Sequence, residues 1–195
     1  MGQFYVGGPG QFCIGANKLI FRDTLIVAIL ATCPVRLRNL AMMEIGKHLY
    51  QVGSEWHLHF EINETKTGQP VHLVIPAELA PFLALFLEKV RPTFPGAAGG
   101  AHVWPACKGK PMAKETIYMR VMKRTYELFG MGLNPHAFRS IAATFLAEIS
   151  PGDALYARPL LGHRQSQTTE RYYIRASQIK AARIVSTALR GIRDA

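Results

Sequence analysis

Cysteines, long apolar runs and clustered acids are all scarce in this sequence of 195 residues. Its three cysteines, Cys13, Cys33 and Cys107, are far apart and form no Cys-x-x-Cys pair, which excludes a cysteine-based zinc site and argues against a disulfide framework. The longest apolar stretch, Leu25 to Cys33, is far shorter than the roughly 18 residues of a membrane-spanning helix. The acidic residues are scattered singly, which argues against a metal-dependent nuclease. We therefore expect reduced cysteines, no membrane span and no bound metal.

Basic residues, by contrast, are abundant. The chain has 23 lysines and arginines against 13 acidic residues, a formal net charge of +10. Such an excess favours a polyanionic partner, with nucleic acid as the first choice. An apolar content of 49% with 18% charged residues is typical of a folded globular domain with its own core.

Hydrophobic periodicity predicts a mainly α fold with one small antiparallel sheet of three strands. The predicted helices span residues 18–33, 36–44, 79–90, 113–129, 136–149, 153–161 and 176–190. The predicted strands lie near residues 48–52, at 56–60, where apolar residues alternate with His57 and His59, and at 71–75. Residues 65–68 are predicted to form a turn. Residues 1–17 are rich in glycine and predict a loose arm before a single domain that covers residues 18–195.

The last third of the chain carries a concentrated set of reactive side chains. His136 and Arg139 are three residues apart, so they share one face of a helix. His163 follows a Leu-Gly pair, and Tyr172 and Tyr173 come nine and ten residues after it. The set combines a nucleophilic hydroxyl, groups that transfer protons and fixed positive charge, which are the parts needed to cleave a phosphodiester without a metal.

This pattern resembles the tyrosine recombinase (phage integrase) family, whose catalytic set includes a further arginine and a lysine. Arg36 and Lys66 stand in the matching places. In the family, the first arginine is followed three residues later by glutamate and then leucine; here the pair is Asn39-Leu40, which selects Arg36 over Arg38. Asn39 in place of the acid implies the loss of a carboxylate that would hold Arg36. Lys66 lies in the turn between the second and third predicted strands, as the family's catalytic lysine does.

The resemblance implies the catalytic domain of a site-specific DNA recombinase that works without ATP, metal or any other cofactor. Tyr172, chosen by family spacing, would attack a phosphodiester to form a 3′-phosphotyrosine and release a 5′-hydroxyl. The neighbouring Tyr173 stays open as the alternative nucleophile. Lys66 would protonate the leaving oxygen. The scissile phosphate would be held by four residues: Arg36, His136, Arg139 and His163.

The resemblance also implies double-stranded DNA as the partner and a tetramer on two DNA sites. In the family the C-terminal helix often packs on a neighbouring protomer, and the apolar stripe of the helix at 176–190 fits that arrangement as well as packing on its own chain. The N-terminal DNA-clamping domain common in the family is not visible before residue 18, so we expect the chain to be monomeric and to bind DNA weakly when alone. A cytoplasmic, nucleoid-associated protein of bacterial or phage origin is expected. By charge placement, six residues are predicted to contact DNA phosphates: Arg38, Lys114, Arg120, Lys123, Arg124 and Arg164.

Two other functions stay open at this point. A type IB topoisomerase-like enzyme shares the same catalytic residue types, but it would relax supercoils without a partner site. A catalytically inactive DNA-binding module would keep the fold and yield no covalent adduct with DNA. The target sequence, and the choice between integration, excision and dimer resolution, are not encoded in any motif of the chain.

Overall fold

The computed structural model describes residues 14–106, 108 and 110–149, with side chains described within residues 17–145. Predictions for the arm at 1–13, for His163, Arg164, Tyr172 and Tyr173, and for the helices at 153–161 and 176–190 lie outside the described residues. The predicted class, mainly α with a small three-stranded antiparallel sheet, is confirmed. The helices are α1 (Ile14–Thr32), α2 (Leu37–Ala41), α3 (Ala80–Leu85), α4 (Lys114–Phe129) and α5 (Pro135–Ile149), and the strands are β1 (Leu49–Val52), β2 (Glu55–Phe60) and β3 (Val71–Val74).

Helix α1 is the central element of the described fold. Its buried residues include Leu25, Ile26, Ile29 and Leu30, and helices α4 and α5 both pack against it. The helix begins at Ile14, inside the segment predicted as a loose arm. It ends before Pro34, whose ring and missing N–H do not allow a helix to continue. Among the described helices, none is long and apolar enough to cross a membrane.

The three strands form one antiparallel sheet in the order β1-β2-β3. Val52 pairs with Glu55, so a two-residue loop joins β1 to β2, and Gly53 opens that loop at φ +60°, the left-handed conformation that such hairpins require. Leu58 and Phe60 are buried as the alternation predicts. His57 and His59, the polar members of the alternation, are half-buried, and the imidazole ring of His72 on β3 packs against both of their rings.

The segment predicted as one helix at 79–90 is divided. Helix α3 continues into a π-helical turn at Phe86–Val90 and a 3-10 turn at Arg91–Thr93. The side chain of Arg91 is buried and donates hydrogen bonds to the carbonyls of His102 and Gly100. The altered turns thus place the basic side chain of Arg91 in the interior, where backbone carbonyls accept its hydrogen bonds. Periodicity alone does not predict a buried arginine at this position.

Helices α4 and α5 close the described fold and match their predicted bounds to within one residue. Gly130 ends α4 at φ +72°, a left-handed cap that glycine adopts without steric cost. Asn134 precedes Pro135, the first residue of α5, and its Oδ1 accepts a hydrogen bond from the Ala137 amide at 2.9 Å. This cap fixes where the second set of predicted catalytic residues begins.

Candidate active site

Arg36 lies at the N-terminal end of α2, directly after the break that Pro34 imposes. Its backbone is extended, and its half-buried side chain donates from Nη1 to Thr67 Oγ1 at 3.4 Å. Burial lowers the pKa of the Arg36 guanidinium from its usual value. Because water screens a half-buried cation less than an exposed one, a phosphate would bind it more strongly here than at the open surface.

The turn that carries Lys66 is closed by its own polar groups. Thr65 is buried, and its hydroxyl donates to the carbonyls of Ile62 and Gln69 at 3.2 and 2.7 Å. Gly68, at φ +63°, donates its amide to Thr65 O at 3.4 Å. The Lys66 side chain is exposed at the tip, and within the described part of the chain it makes no hydrogen bond or ion pair. Lys66 is therefore held at its backbone and unengaged at its ammonium group.

Asn39 joins α2 to this turn. It is 4% exposed, and its Nδ2 donates to Glu64 O at 3.2 Å. The amide of Asn39, which stands in place of the family's carboxylate, therefore makes a different contact. The amide contacts the backbone two residues before Lys66 and fastens the helix that follows Arg36 to the segment that precedes Lys66.

Helix α5 brings in the third segment of the site. Arg139 is 5% exposed and donates from Nη1 to Pro34 O at 2.5 Å. Since Pro34 is two residues before Arg36, this bond fixes the base of α5 beside the first predicted arginine. His136 lies one turn earlier on the same helix, with its ring exposed. The structure thus joins the segments of Arg36, Lys66 and Arg139, which are far apart in sequence, and leaves His136 at the adjoining surface.

The predicted DNA contacts differ in how they are held. Arg38, Lys114 and Lys123 are exposed. Arg120 and Arg124 are half-buried and face α1: Arg120 Nε donates to Asp23 Oδ2 at 2.5 Å, and Arg124 Nε donates to Thr24 Oγ1 at 2.8 Å. Lys114, Lys123 and Arg124 also lie within 4 Å of a glutamate on α4. The free positive charge of this helix is therefore smaller than its sequence indicates.

Three contributors to the site were missed by sequence reasoning. Thr67 as the partner of Arg36 had a partial signal, since the Thr-Lys-Thr-Gly turn was itself predicted. Glu64 and His48 had none: they are 16 residues apart, and their contact at 3.1 Å depends on how β1 and the turn fold together. Within the described residues, no group of three or more histidines, cysteines or acids is arranged to hold a metal ion.

Solved structures that match this fold include site-specific recombinases and integrases. XerH bound to a palindromic difH substrate in a post-cleavage complex matches with a TM-score of 0.69 at 19% identity, over 88% of this chain and 48% of that one. XerA matches at 0.61 and 20% identity, over 82% of this chain and 56% of that one. The Tn1549 transposon integrase, in complex with a circular intermediate DNA, matches at 0.61 and 17% identity, over 87% and 61%.

At these low identities the structural matches establish the fold alone, which is that of a tyrosine recombinase catalytic domain. This chain spans roughly half the length of the structures it matches. The model of the phage integrase family matches residues 11–178, most of the sequence. The chain therefore belongs to the phage integrase family. A sequence search of curated proteins found no significant match.

Proposed function

We propose that this chain carries the catalytic domain of a site-specific DNA recombinase that cleaves and rejoins DNA through a 3′-phosphotyrosine. The observation that carries the proposal is the convergence of three segments: Arg139 is bonded to Pro34 O, Arg36 to Thr67, and Lys66 is adjacent to Thr67. This convergence brings two arginines to the same part of the fold as a lysine whose ammonium is unengaged within the described residues. Such a set suits the binding of a phosphate and the protonation of its leaving oxygen.

In this proposal Tyr172 Oη attacks the scissile phosphorus. The Oη–P bond forms as the P–O5′ bond breaks, and the Lys66 ammonium gives its proton to the departing 5′ oxygen. The phenol proton passes to solvent. Rejoining reverses these steps with a 5′-hydroxyl from another strand, so the phosphodiester energy is kept in the tyrosyl ester and no ATP is consumed.

Arg36 and Arg139 would stabilise the negative charge that grows on the non-bridging oxygens, with His136 and His163 as further donors. Guanidinium groups suit this task because they stay charged and present paired donors in a fixed geometry. Arg139 has little freedom to move, since it is buried and tied to Pro34 O. A donor fixed in advance needs little reorganisation when the charge develops, which is how such sites lower the barrier.

Double-stranded DNA is the proposed substrate, with assembly to a tetramer on two sites. The net charge of +10 supports DNA binding, as do the matched XerH and Tn1549 structures, which hold DNA. Arg38, Lys114, Arg120, Lys123, Arg124 and Arg164 are the proposed phosphate contacts. Arg38, Lys114 and Lys123 are the best placed of the described ones because they are exposed.

Covalent trapping tests the proposal. The full chain is incubated in EDTA with duplexes of randomised sequence, nicked so that cleavage releases a short strand that diffuses away and cannot be rejoined. We expect an SDS-resistant protein–DNA adduct that Tyr172→Phe abolishes and Tyr173→Phe retains. Sequencing the trapped strands then yields the preferred site.

The other outcomes separate the competing functions. Loss of the adduct with Tyr173→Phe alone moves the nucleophile to Tyr173. Relaxation of a supercoiled plasmid that lacks the recovered site indicates a type IB topoisomerase-like enzyme. DNA that is bound but never trapped, in any variant, contradicts the proposal and indicates an inactive DNA-binding module.

A further inference from the structure

We propose that Glu64 is a positioning residue for Lys66: its carboxylate anchors the base of the turn from which Lys66 reaches the leaving oxygen. The inference rests on the proposed function, because that function assigns the proton transfer to Lys66. Glu64 was not among the predicted site residues. Its contacts nevertheless converge two residues before Lys66.

The Glu64 carboxylate accepts three hydrogen bonds and is only 11% exposed. Its Oε1 accepts from Lys47 Nζ at 2.6 Å and from His48 Nε2 at 3.1 Å. Its Oε2 accepts from the Glu61 amide at 3.0 Å, which closes the 3-10 turn at Ile62–Glu64. Lys47 and His48 directly precede β1, so the Glu64 side chain connects the start of β1 to the loop between β2 and β3.

His48 makes this anchor rigid. The residue is 1% exposed, and its Nδ1 accepts a hydrogen bond from the Glu44 amide at 3.0 Å. Because Nδ1 is occupied as an acceptor, a neutral ring carries its proton on Nε2, which is the nitrogen that faces Glu64. The ring also stacks on Phe60 with centroids 5.2 Å apart. The donor to Glu64 is therefore fixed in both tautomer and orientation.

The anchor is continuous with the turn itself. The backbone carbonyl of Glu64 accepts the Asn39 amide, and the next residue, Thr65, closes the turn with two hydroxyl bonds. Both ends of Glu64 are therefore fixed, the side chain to Lys47 and His48 and the carbonyl to α2. Lys66 lies directly after Thr65, and its side chain has no partner in the described part of the chain. Its backbone position consequently depends on contacts made by its neighbours.

The charge state of Glu64 is suited to a permanent anchor. The hydrogen bond from Lys47 is the largest of the causes that lower the pKa of Glu64 to about 2, with the Glu61 amide and His48 adding to it. The carboxylate therefore stays ionised at every pH well above about 2, which includes the neutral range in which cleavage would be measured. The anchor is therefore formed under the conditions of the proposed reaction.

Comparing two kinds of scissile linkage distinguishes an effect of Glu64 on the position of Lys66 from a general structural effect. In ordinary DNA the leaving group is an alcohol, which needs a proton. With sulfur in the bridging 5′ position the leaving group is a thiol, which titrates near ~8.5 and departs without one. A defect that acts through Lys66 must therefore shrink on the sulfur substrate, whereas a defect in phosphate binding or folding slows cleavage of both.

Single-turnover cleavage by the full chain is measured on both linkages, using the site recovered by covalent trapping. We expect Lys66→Ala to be slowed about 100-fold or more on the oxygen linkage, and Glu64→Ala about 10- to 100-fold. On the sulfur linkage both should come within about threefold of the unaltered chain. Glu64→Gln, which keeps the shape and accepts from His48, should lie between Glu64→Ala and the unaltered chain. The matched control is Glu55→Gln, which alters an exposed acid at the start of β2 and should change neither rate.

The outcomes are distinct. If Lys66→Ala is rescued by sulfur and Glu64→Ala is not, Lys66 keeps its role and the inference about Glu64 is wrong. If neither variant is rescued, Lys66 is not the proton donor, so the proposed role of Lys66 and the inference about Glu64 both fail.

Amide hydrogen exchange in the DNA-free chain gives an independent readout. Glu64→Ala should speed exchange at Thr65 and Gly68 and leave α4 unchanged. Unchanged exchange in the turn would overturn the inference without any DNA.

Discussion

Asn39 illustrates how one polar atom can change the way a site is assembled. A carboxylate at this position could only accept hydrogen bonds, whereas the amide of Asn39 donates to the carbonyl of Glu64. The residue is buried, so an unpaired group here would be costly. The amide therefore stabilises a contact between α2 and the turn of Lys66 that an ionised acid in the same place could not make.

Glu64 gives the most specific pH prediction at the residue scale. Its pKa in the folded chain is lowered to about 2 from an ordinary value of 4.5. A lowered folded pKa means that the contribution to stability is complete above the unfolded pKa and is lost as pH falls through the folded one. We therefore expect the free energy of unfolding to fall between about pH 4.5 and pH 2, and Glu64→Gln to remove part of that fall.

Urea unfolding at a series of pH values measures this difference. The stability gap between the unaltered chain and Glu64→Gln should be constant from pH 7 to about 5 and narrow steadily below that. Glu55→Gln, which neutralises an exposed acid whose nearest basic contact is 3.8 Å away, should show a small gap at every pH. A gap for Glu64→Gln that does not narrow in acid would contradict the depressed pKa.

Among the elements, the connection from α4 to α5 decides where His136 and Arg139 lie. Thr125 is fully buried on α4, and its hydroxyl accepts from the Leu133 amide at 2.8 Å while it donates to Val121 O at 2.9 Å. We expect Thr125→Val to cost about 1–2 kcal/mol, because the Leu133 amide loses its acceptor. Chemical denaturation measures the cost.

Thr32→Val is the matched control for that change. The Thr32 hydroxyl is exposed and donates to Ala28 O within α1, so its removal orphans no donor. Stability should change by less than about 0.5 kcal/mol. Equal costs for the two variants would mean that the Leu133 amide finds another partner when Thr125 is altered.

The end of α4 depends on a backbone conformation. Gly130 has φ +72°, and no atom lies within 4 Å of the place that a Cβ would occupy, so Gly130→Ala meets backbone strain and no collision. We expect a loss of about 1 kcal/mol in the free energy of unfolding. Gly99 is equally open but has no positive φ, so Gly99→Ala should cost nothing. Thermal unfolding of the two variants compares them directly, and similar melting temperatures would argue against a left-handed cap.

Element type was largely predictable from local pattern, whereas the contacts between elements were not. Helices α4 and α5 show the 3.6-residue apolar period, and Pro34 and Gly130 mark helix ends, so local signals suffice for them. The π-helical turn at Phe86–Val90 has no local signal, whereas Pro92 marks the 3-10 turn that follows it. The carbonyl that accepts from Arg91 Nε lies 11 residues further along the chain, at His102. The bond between Arg36 and Thr67 likewise joins residues 31 apart, which periodicity does not address.

At the scale of the whole molecule, the basic residues behind the net charge of +10 have different roles, some in the interior and some at the surface. Asp23 is buried between α1 and α4, where Arg22 and Arg120 both contact its carboxylate. Arg22 also donates to Pro105 O at 2.7 Å, so it is committed to the interior. Lys123, in contrast, is exposed, and its nearest acid is Glu127 at 3.9 Å. Charge placement alone assigned Arg120 and Lys123 the same role, DNA contact, although their surroundings differ.

Replacing Arg120 and Lys123 separately by glutamine distinguishes a role in stability from a role in DNA binding. Arg120→Gln should lower the free energy of unfolding by about 1–3 kcal/mol, because one oxygen of a buried carboxylate loses its charged donor. Lys123→Gln should leave stability within about 0.5 kcal/mol but reduce the dependence of log DNA affinity on log salt by about 0.9, the value of one phosphate contact. Urea unfolding and salt titrations of DNA binding measure the two effects. If Arg120→Gln instead reduces the salt dependence without a loss of stability, the ion pair with Asp23 must open on DNA, and Arg120 serves the DNA-bound state.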